Sequence, residues 1–74
     1  MNIGEVIKKE RLQKGMSQSF VAKELDISQD TVSLWELNKR IPMIDDIVKL
    51  ANLFNISIEE MIGIEKDSND KYIL

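Results

Sequence analysis

Apolar residues recur along this chain at spacings of three and four, the repeat that places side chains on one face of a helix. Ile3, Val6 and Ile7 predict a first helix over residues 3–14, and Val21, Ala22 and Leu25 a second over Gln18–Leu25. Val32 and Trp35 mark a third, starting at Gln29 and ending near Leu37. Ile44, Ile47, Val48, Ala51 and Phe54 form the stripe of a fourth that begins after Pro42 and ends at Asn55, with Asp45 and Asp46 in its favourable first turn. A short fifth helix covers residues 58–62 and stops at Gly63. Five helices fill the domain, and the fold class read here is all-α.

The residues between these stripes are helix punctuation. Asn2 with Glu5, and Ser57 with Glu60, have the spacing of capping boxes, and Ser17 and Ser28 stand where a side-chain oxygen accepts a backbone N–H at a helix start. Met16 with Val21, Ile27 with Val32 and Ile56 with Met61 have the spacing of hydrophobic staples. Gly15 suits the left-handed residue that ends the first helix, with Lys14 at the negative end of its dipole, and Asn38 suits the same position after the third.

The stretch Ser17–Glu36 is the one the rest of the chain is organised to hold. It reads as two stapled helices joined at a tight corner, Asp26, Ile27 and Ser28. The second of them has two faces, Val32 and Trp35 for a core and Gln29, Asp30, Ser33 and Leu34 pointing elsewhere. Lys39 and Arg40 follow in a short basic loop, placed to reach phosphate or simply to be solvated. Leu12 lies half a turn off its stripe and reads as exposed. Phe20 is also off its stripe, either covering a neighbouring helix or contacting a partner.

Composition narrows the class. Seventy-four residues make one domain, able to bury about 60% of the unfolded chain's surface, so stability is modest and an oligomer would help. There is no Cys and no His, which removes disulfides and the usual zinc ligand sets, and no metal or cofactor is expected. The start MNIGEVIKKE is too charged for a signal peptide, and no apolar run approaches the roughly 20 residues of a membrane span, so the expected location is cytoplasmic with no membrane partner. An enzyme is not expected. The carboxylates are spread along solvent faces, and three isolated glycines form neither a phosphate loop nor a dinucleotide fingerprint. Net charge is −3, but residues 1–40 carry seven Lys and Arg against six Asp and Glu, while residues 41–74 carry three against seven. A local patch, not the total, governs attraction to phosphate.

Together the residues resemble the Cro and lambda-repressor type of helix-turn-helix domain, the Xre family. The resemblance is carried by Arg11 and Gly15 in ERLQKGMSQ, by Gln18, Val21, Ala22 and Leu25, by Ile27 and Ser28 at the corner, by Val32, Trp35 and Glu36, by Lys39 to Pro42, and by LANLFNISIEEMI. It covers about residues 3–63, and implies a compact five-helix lambda-repressor-like DNA-binding domain over residues 1–64, a helix-turn-helix at 17–36, and a C-terminal tail at 65–74.

By the same resemblance the third helix lies in the major groove of double-stranded DNA. Gln29, Asp30, Thr31, Ser33 and Leu34 read bases, while Ser17, Gln18, Ser28, Lys39 and Arg40 meet the backbone. Arg11 and Glu36 match an ion pair joining helix one to helix three. The chemistry of the side chains agrees in part, since Gln can bind adenine N6 and N7 together, Asp can accept from cytosine N4, and Leu can contact a thymine methyl. Departures from the family pattern are Asn38 for a frequent Gly, Leu37 at a commonly polar or basic position, Met43 for the usual Ser or Thr cap, and Asp30, which repels phosphate unless it finds a donor.

The function expected on this basis is a sequence-specific transcriptional regulator, a repressor or controller. It would act as a homodimer because one short helix reads too few bases. Ile58, Met61, Ile62 and Ile64 are the expected dimer interface, with part of that set in the core, and Tyr72, Ile73 and Leu74 at the tail's end either fray or add a contact to a second subunit. The alternative is a protein-interaction module on the same fold, an antitoxin or anti-repressor partner, using Phe20, Leu34 and Leu37 to hold a protein partner.

Overall fold

The computed structural model of the chain describes residues 2–63. They form α1 (Ile3–Gln13), α2 (Gln18–Leu25), α3 (Gln29–Glu36), α4 (Ile44–Phe54) and α5 (Ile58–Ile62), with no strand among them. Ile64 and the tail, residues 65–74, lie outside the described residues, and with them the expectations placed on Ile64, Tyr72, Ile73 and Leu74.

Each helix starts where its cap dictates. The side-chain oxygens of Asn2, Ser17, Ser28 and Ser57 accept from the N–H of Glu5, Phe20, Thr31 and Glu60, satisfying one orphan donor at each start. At the starts of α1 and α5 the box is closed, since Glu5 and Glu60 accept the N–H of Asn2 and Ser57 in return. At α4 only the return half is made. Met43 has no capping oxygen, but its N–H donates to Asp46 Oδ2 at 3.2 Å.

The ends follow the same logic with left-handed residues. Gly15 ends α1 at φ 69°, Asp26 turns the corner after α2 at φ 60°, Asn38 ends α3 at φ 61°, and Asn55 and Gly63 end α4 and α5. Every one of these is Gly, Asn or Asp, the types that adopt positive φ at least cost.

Trp35, Phe54, Ile7, Leu50, Met61, Val21 and Val32 are the largest fully buried side chains. α3 packs on α2 and α1, and α1 in turn on α5 and α4, so the central pair α2–α3 is braced from behind. Met16, Ile27 and Ile56, the residues preceding three caps, pack against this core.

Two expectations from hydrophobic spacing are corrected. In α4 the buried face is Ile47, Leu50, Ala51 and Phe54, while Ile44 and Val48 are exposed. The apolar arc of this helix is wider than the face its neighbours cover, and periodicity alone does not say which edge stays wet. Met61 is fully buried in the core, so it is not an interface residue; Ile58 is half-buried against the core, and only Ile62 of that set is exposed.

Candidate nucleic-acid interface

α3 is fixed on its inner side by Val32 and Trp35, both essentially without solvent exposure. At 3.6 residues per turn Gln29, Asp30, Ser33, Leu34 and Leu37 then share the opposite side. Gln29, Asp30 and Leu37 are exposed, and Ser33 and Leu34 half-buried. Thr31 does not share this row. It is turned about 200° from Gln29, is half-buried, and has its hydroxyl 2.9 Å from Ser28 Oγ at the cap. The row offers an amide, a carboxylate, a hydroxyl and an isobutyl group. It contains no titratable cluster of the kind that does acid–base chemistry.

The last turn of α3 is tied to the other two helices through one carboxylate. Arg11 Nε donates to Glu36 Oε2 at 2.7 Å and Arg11 Nη2 to Glu36 Oε1 at 3.0 Å, a two-pronged pair of the sort that only a guanidinium makes. Gln18 Nε2 donates to the same Oε1 at 3.0 Å, and Arg11 Nη1 donates to the Met16 carbonyl at the α1–α2 turn, also at 3.0 Å. The two side chains are 10% and 4% exposed, so this is an interior pair with its hydrogen-bonding capacity well used. Arg11 is held above the usual arginine pKa, chiefly by its hydrogen bond to Glu36 and less by the charge of that carboxylate, with burial acting against both. One carboxylate thus sets α3 against α1 and α2 together.

Spacing did not show where the Gln18 side chain goes. The side chain expected to donate to phosphate spends one amide hydrogen on Glu36. With Phe20 N–H satisfied by Ser17, the Gln18 and Ser19 N–H groups are those left pointing out of the start of α2. A second missed residue is Gly4. It is buried, and a Cβ there would collide with the Trp35 carbonyl oxygen and the Asn38 side chain. Only a glycine lets the start of α1 close on the end of α3. The signal available in the sequence was a glycine inside a helical repeat, a position where it costs stability unless something packs against it.

Beyond Asn38 the chain folds back with the N–H groups of Lys39 and Arg40 both donating to the Leu34 carbonyl, at 2.9 and 3.3 Å. This holds the two exposed cations beside the end of α3, on the chain's way to the buried Pro42. Ser17 and Ser28 are exposed and committed as caps, so what they present outward is the helix start itself.

A helix-turn-helix family model matches residues 7–61. The chain belongs to the helix-turn-helix family. α2 and α3 are its two named helices, and Asp26, Ile27 and Ser28 its turn. The HTH-type transcriptional regulator ImmR of Bacillus subtilis (strain 168) is 33% identical over 63 residues, covering 85% of this chain and 50% of that protein. The chain therefore spans half the length of that relative.

Among solved structures of helix-turn-helix proteins, the biofilm master regulator SinR in complex with DNA matches with a TM-score of 0.74 at 28% identity, over 80% of this chain and 95% of that one. The P22 c2 repressor in complex with synthetic operator 9T matches with a TM-score of 0.81 over 88% of this chain and 98% of that one. At 20% identity the latter likeness is one of fold. No helix among the described residues is long and apolar enough to cross a membrane.

Proposed function

We propose that this chain is a sequence-specific DNA-binding transcriptional regulator, a repressor or controller, that reads a pseudo-palindromic operator through α3. The observation that carries the reading is the division of α3 into two sides. Val32, Trp35 and the Glu36 carboxylate are locked inward, and Gln29, Asp30, Ser33 and Leu34 are presented outward from a helix that cannot roll. A base-reading helix needs its side chains held in fixed register by phosphate contacts on either side. The free N–H groups at the start of α2, and Lys39 and Arg40 after α3, flank the row and fill that role. SinR and the P22 c2 repressor, each solved on DNA, support the same use of the fold.

In this reading Gln29 takes an adenine edge, Asp30 accepts from a cytosine amine, Leu34 meets a thymine methyl, and Ser33 donates or accepts as the step requires. Two copies read half-sites one helical turn apart, about 34 Å, and Ile62 with the outer side of Ile58 supplies part of the contact between them. The activity is binding without a catalytic step or a cofactor, and its setting is the cytoplasm.

The test is a titration of wild type and of Gln29→Ala/Ser33→Ala against a palindromic duplex library at low salt. The proposal expects wild type to prefer a defined sequence and the double variant to lose about 2–4 kcal/mol of that preference. Uniform binding of all duplexes by wild type overturns it.

A further inference from the structure

At the last turn of α3, where Leu37 ends the outward row, lies a surface that the base contacts proposed for Gln29, Asp30, Ser33 and Leu34 do not use. Leu12 is 58% and Leu37 61% exposed, and the two line one shallow depression of about 580 Å³ with Glu5, Lys8, Lys9 and Glu36. That volume is room for a few side chains, not for a folded element. Its two carboxylates are already engaged, since Glu5 accepts the Asn2 N–H at 3.1 Å and Glu36 is filled by Arg11 and Gln18. The side chains of Lys8 and Lys9 have neither an ion-pair nor a hydrogen-bond partner among the described residues. The depression therefore presents two apolar contacts beside two lysines, whose charge exceeds that of the single carboxylate, Glu5, not held in an ion pair there.

We propose that this depression docks a partner protein segment in which Leu- or Ile-type side chains stand beside Asp or Glu. Charge complementarity and the pairing of apolar with cationic groups select that occupant. A phosphate backbone would satisfy the lysines but leave both leucines facing a hydrated polar strand, with no apolar area buried. A second copy of this chain, whose α4 exposes Ile44 and Val48 beside Asp45, is the competing occupant that the sedimentation arm below tests. The proposal does not depend on the DNA-binding reading, and it separates Leu37 from Phe20, which lines a different depression with Lys14, Gly15, Met16 and Ser17.

The experiment is a selection of random dodecapeptides displayed on phage against the purified full chain, followed by titration of the enriched peptide into isotope-labelled protein. Enriched sequences are expected to combine Leu or Ile with Asp or Glu, and amide shifts to cluster at Lys8, Lys9, Leu12 and Leu37. Affinity is expected to fall about ten-fold or more in Leu12→Ser/Leu37→Ser and in Lys8→Gln/Lys9→Gln, since all four side chains are exposed and both variants keep the fold. The proposal is overturned by no enrichment, by enrichment of basic or neutral peptides, or by either variant binding as well as wild type. It is equally overturned if Leu12→Ser/Leu37→Ser turns a dimer into a monomer on sedimentation, which makes a second copy the occupant. A reduced salt slope of duplex binding in Lys8→Gln/Lys9→Gln makes phosphate the occupant and has the same effect.

Discussion

Replacing Glu36 with Leu leaves the Arg11 guanidinium in place, 9% exposed, with only the Met16 carbonyl as a partner. An uncompensated buried charge of this kind costs about 3–5 kcal/mol. A domain of this length has on the order of 4–11 kcal/mol in total, so Glu36→Leu removes a large share of it. At about 4–8 °C per kcal/mol for a domain of this size, the melting temperature falls by at least about 12 °C. Arg11→Met is expected to cost a similar amount, because Glu36 keeps only the Gln18 amide and the Met16 carbonyl loses its donor.

The double variant Arg11→Met/Glu36→Leu removes both charges, and apolar replacement of a buried pair is often close to neutral. Its expected cost is about 0–2 kcal/mol, much less than either single change. Urea denaturation of all four proteins, followed by circular dichroism, gives the coupling energy directly. Single variants that each cost under about 1 kcal/mol, or costs that add to within about 0.5 kcal/mol, would refute the view that this pair is an interior tie between α1 and α3.

Four further outcomes follow from the same structure. Because burial shields the Arg11–Glu36 pair, its coupling energy should survive between about 0.05 and 0.5 M salt, whereas that of the more open Lys14–Glu10 pair, 2.7 Å apart with side chains 34% and 15% exposed, should vanish in a parallel cycle. The raised pKa of Arg11 means its contribution is fully present below the unfolded-state value and is lost only as pH rises through the folded one, so stability between about pH 6 and 9 should owe no slope to this arginine. Gly4→Ala should cost about 1–3 kcal/mol or more in denaturation, since its methyl meets the Trp35 carbonyl, while Gly15→Ala meets open space and suffers only from its positive φ. Replacing Lys39 and Arg40 with Ala should weaken duplex binding across all sequences and lower the slope of log K against log salt by about one for each phosphate that is no longer neutralised, read from titrations at several salt concentrations.

What could be read from the sequence was what is local. Ser17, Ser28 and Ser57 announce their helices because a cap and its N–H are three residues apart, and Asn38 and Asn55 announce ends because few residue types tolerate a positive φ. The outward row on α3 was legible for the same reason, its neighbours being set by helical pitch, although pitch also turns Thr31 away from Gln29. What was hidden depends on neighbours remote in sequence. Gln18 reaches Glu36 across 18 residues, and no local pattern marks an amide that serves its own fold instead of a ligand. Leu50 is buried and Ile44 is not because α2 and α5 cover one edge of an apolar arc that includes both. Met61 reads from the sequence both as a dimer-interface residue and as the staple partner of Ile56, but α1 and α4 pack on α5 and leave it fully buried.

The most direct test of α3 as a reading helix is a selection of bound duplexes from a random pool by the purified chain at low salt. Enrichment of a pseudo-palindrome with half-site centres about 10–10.5 base pairs apart is the expected result. A pool that stays random through successive rounds, at protein concentrations that do retain DNA, would contradict it.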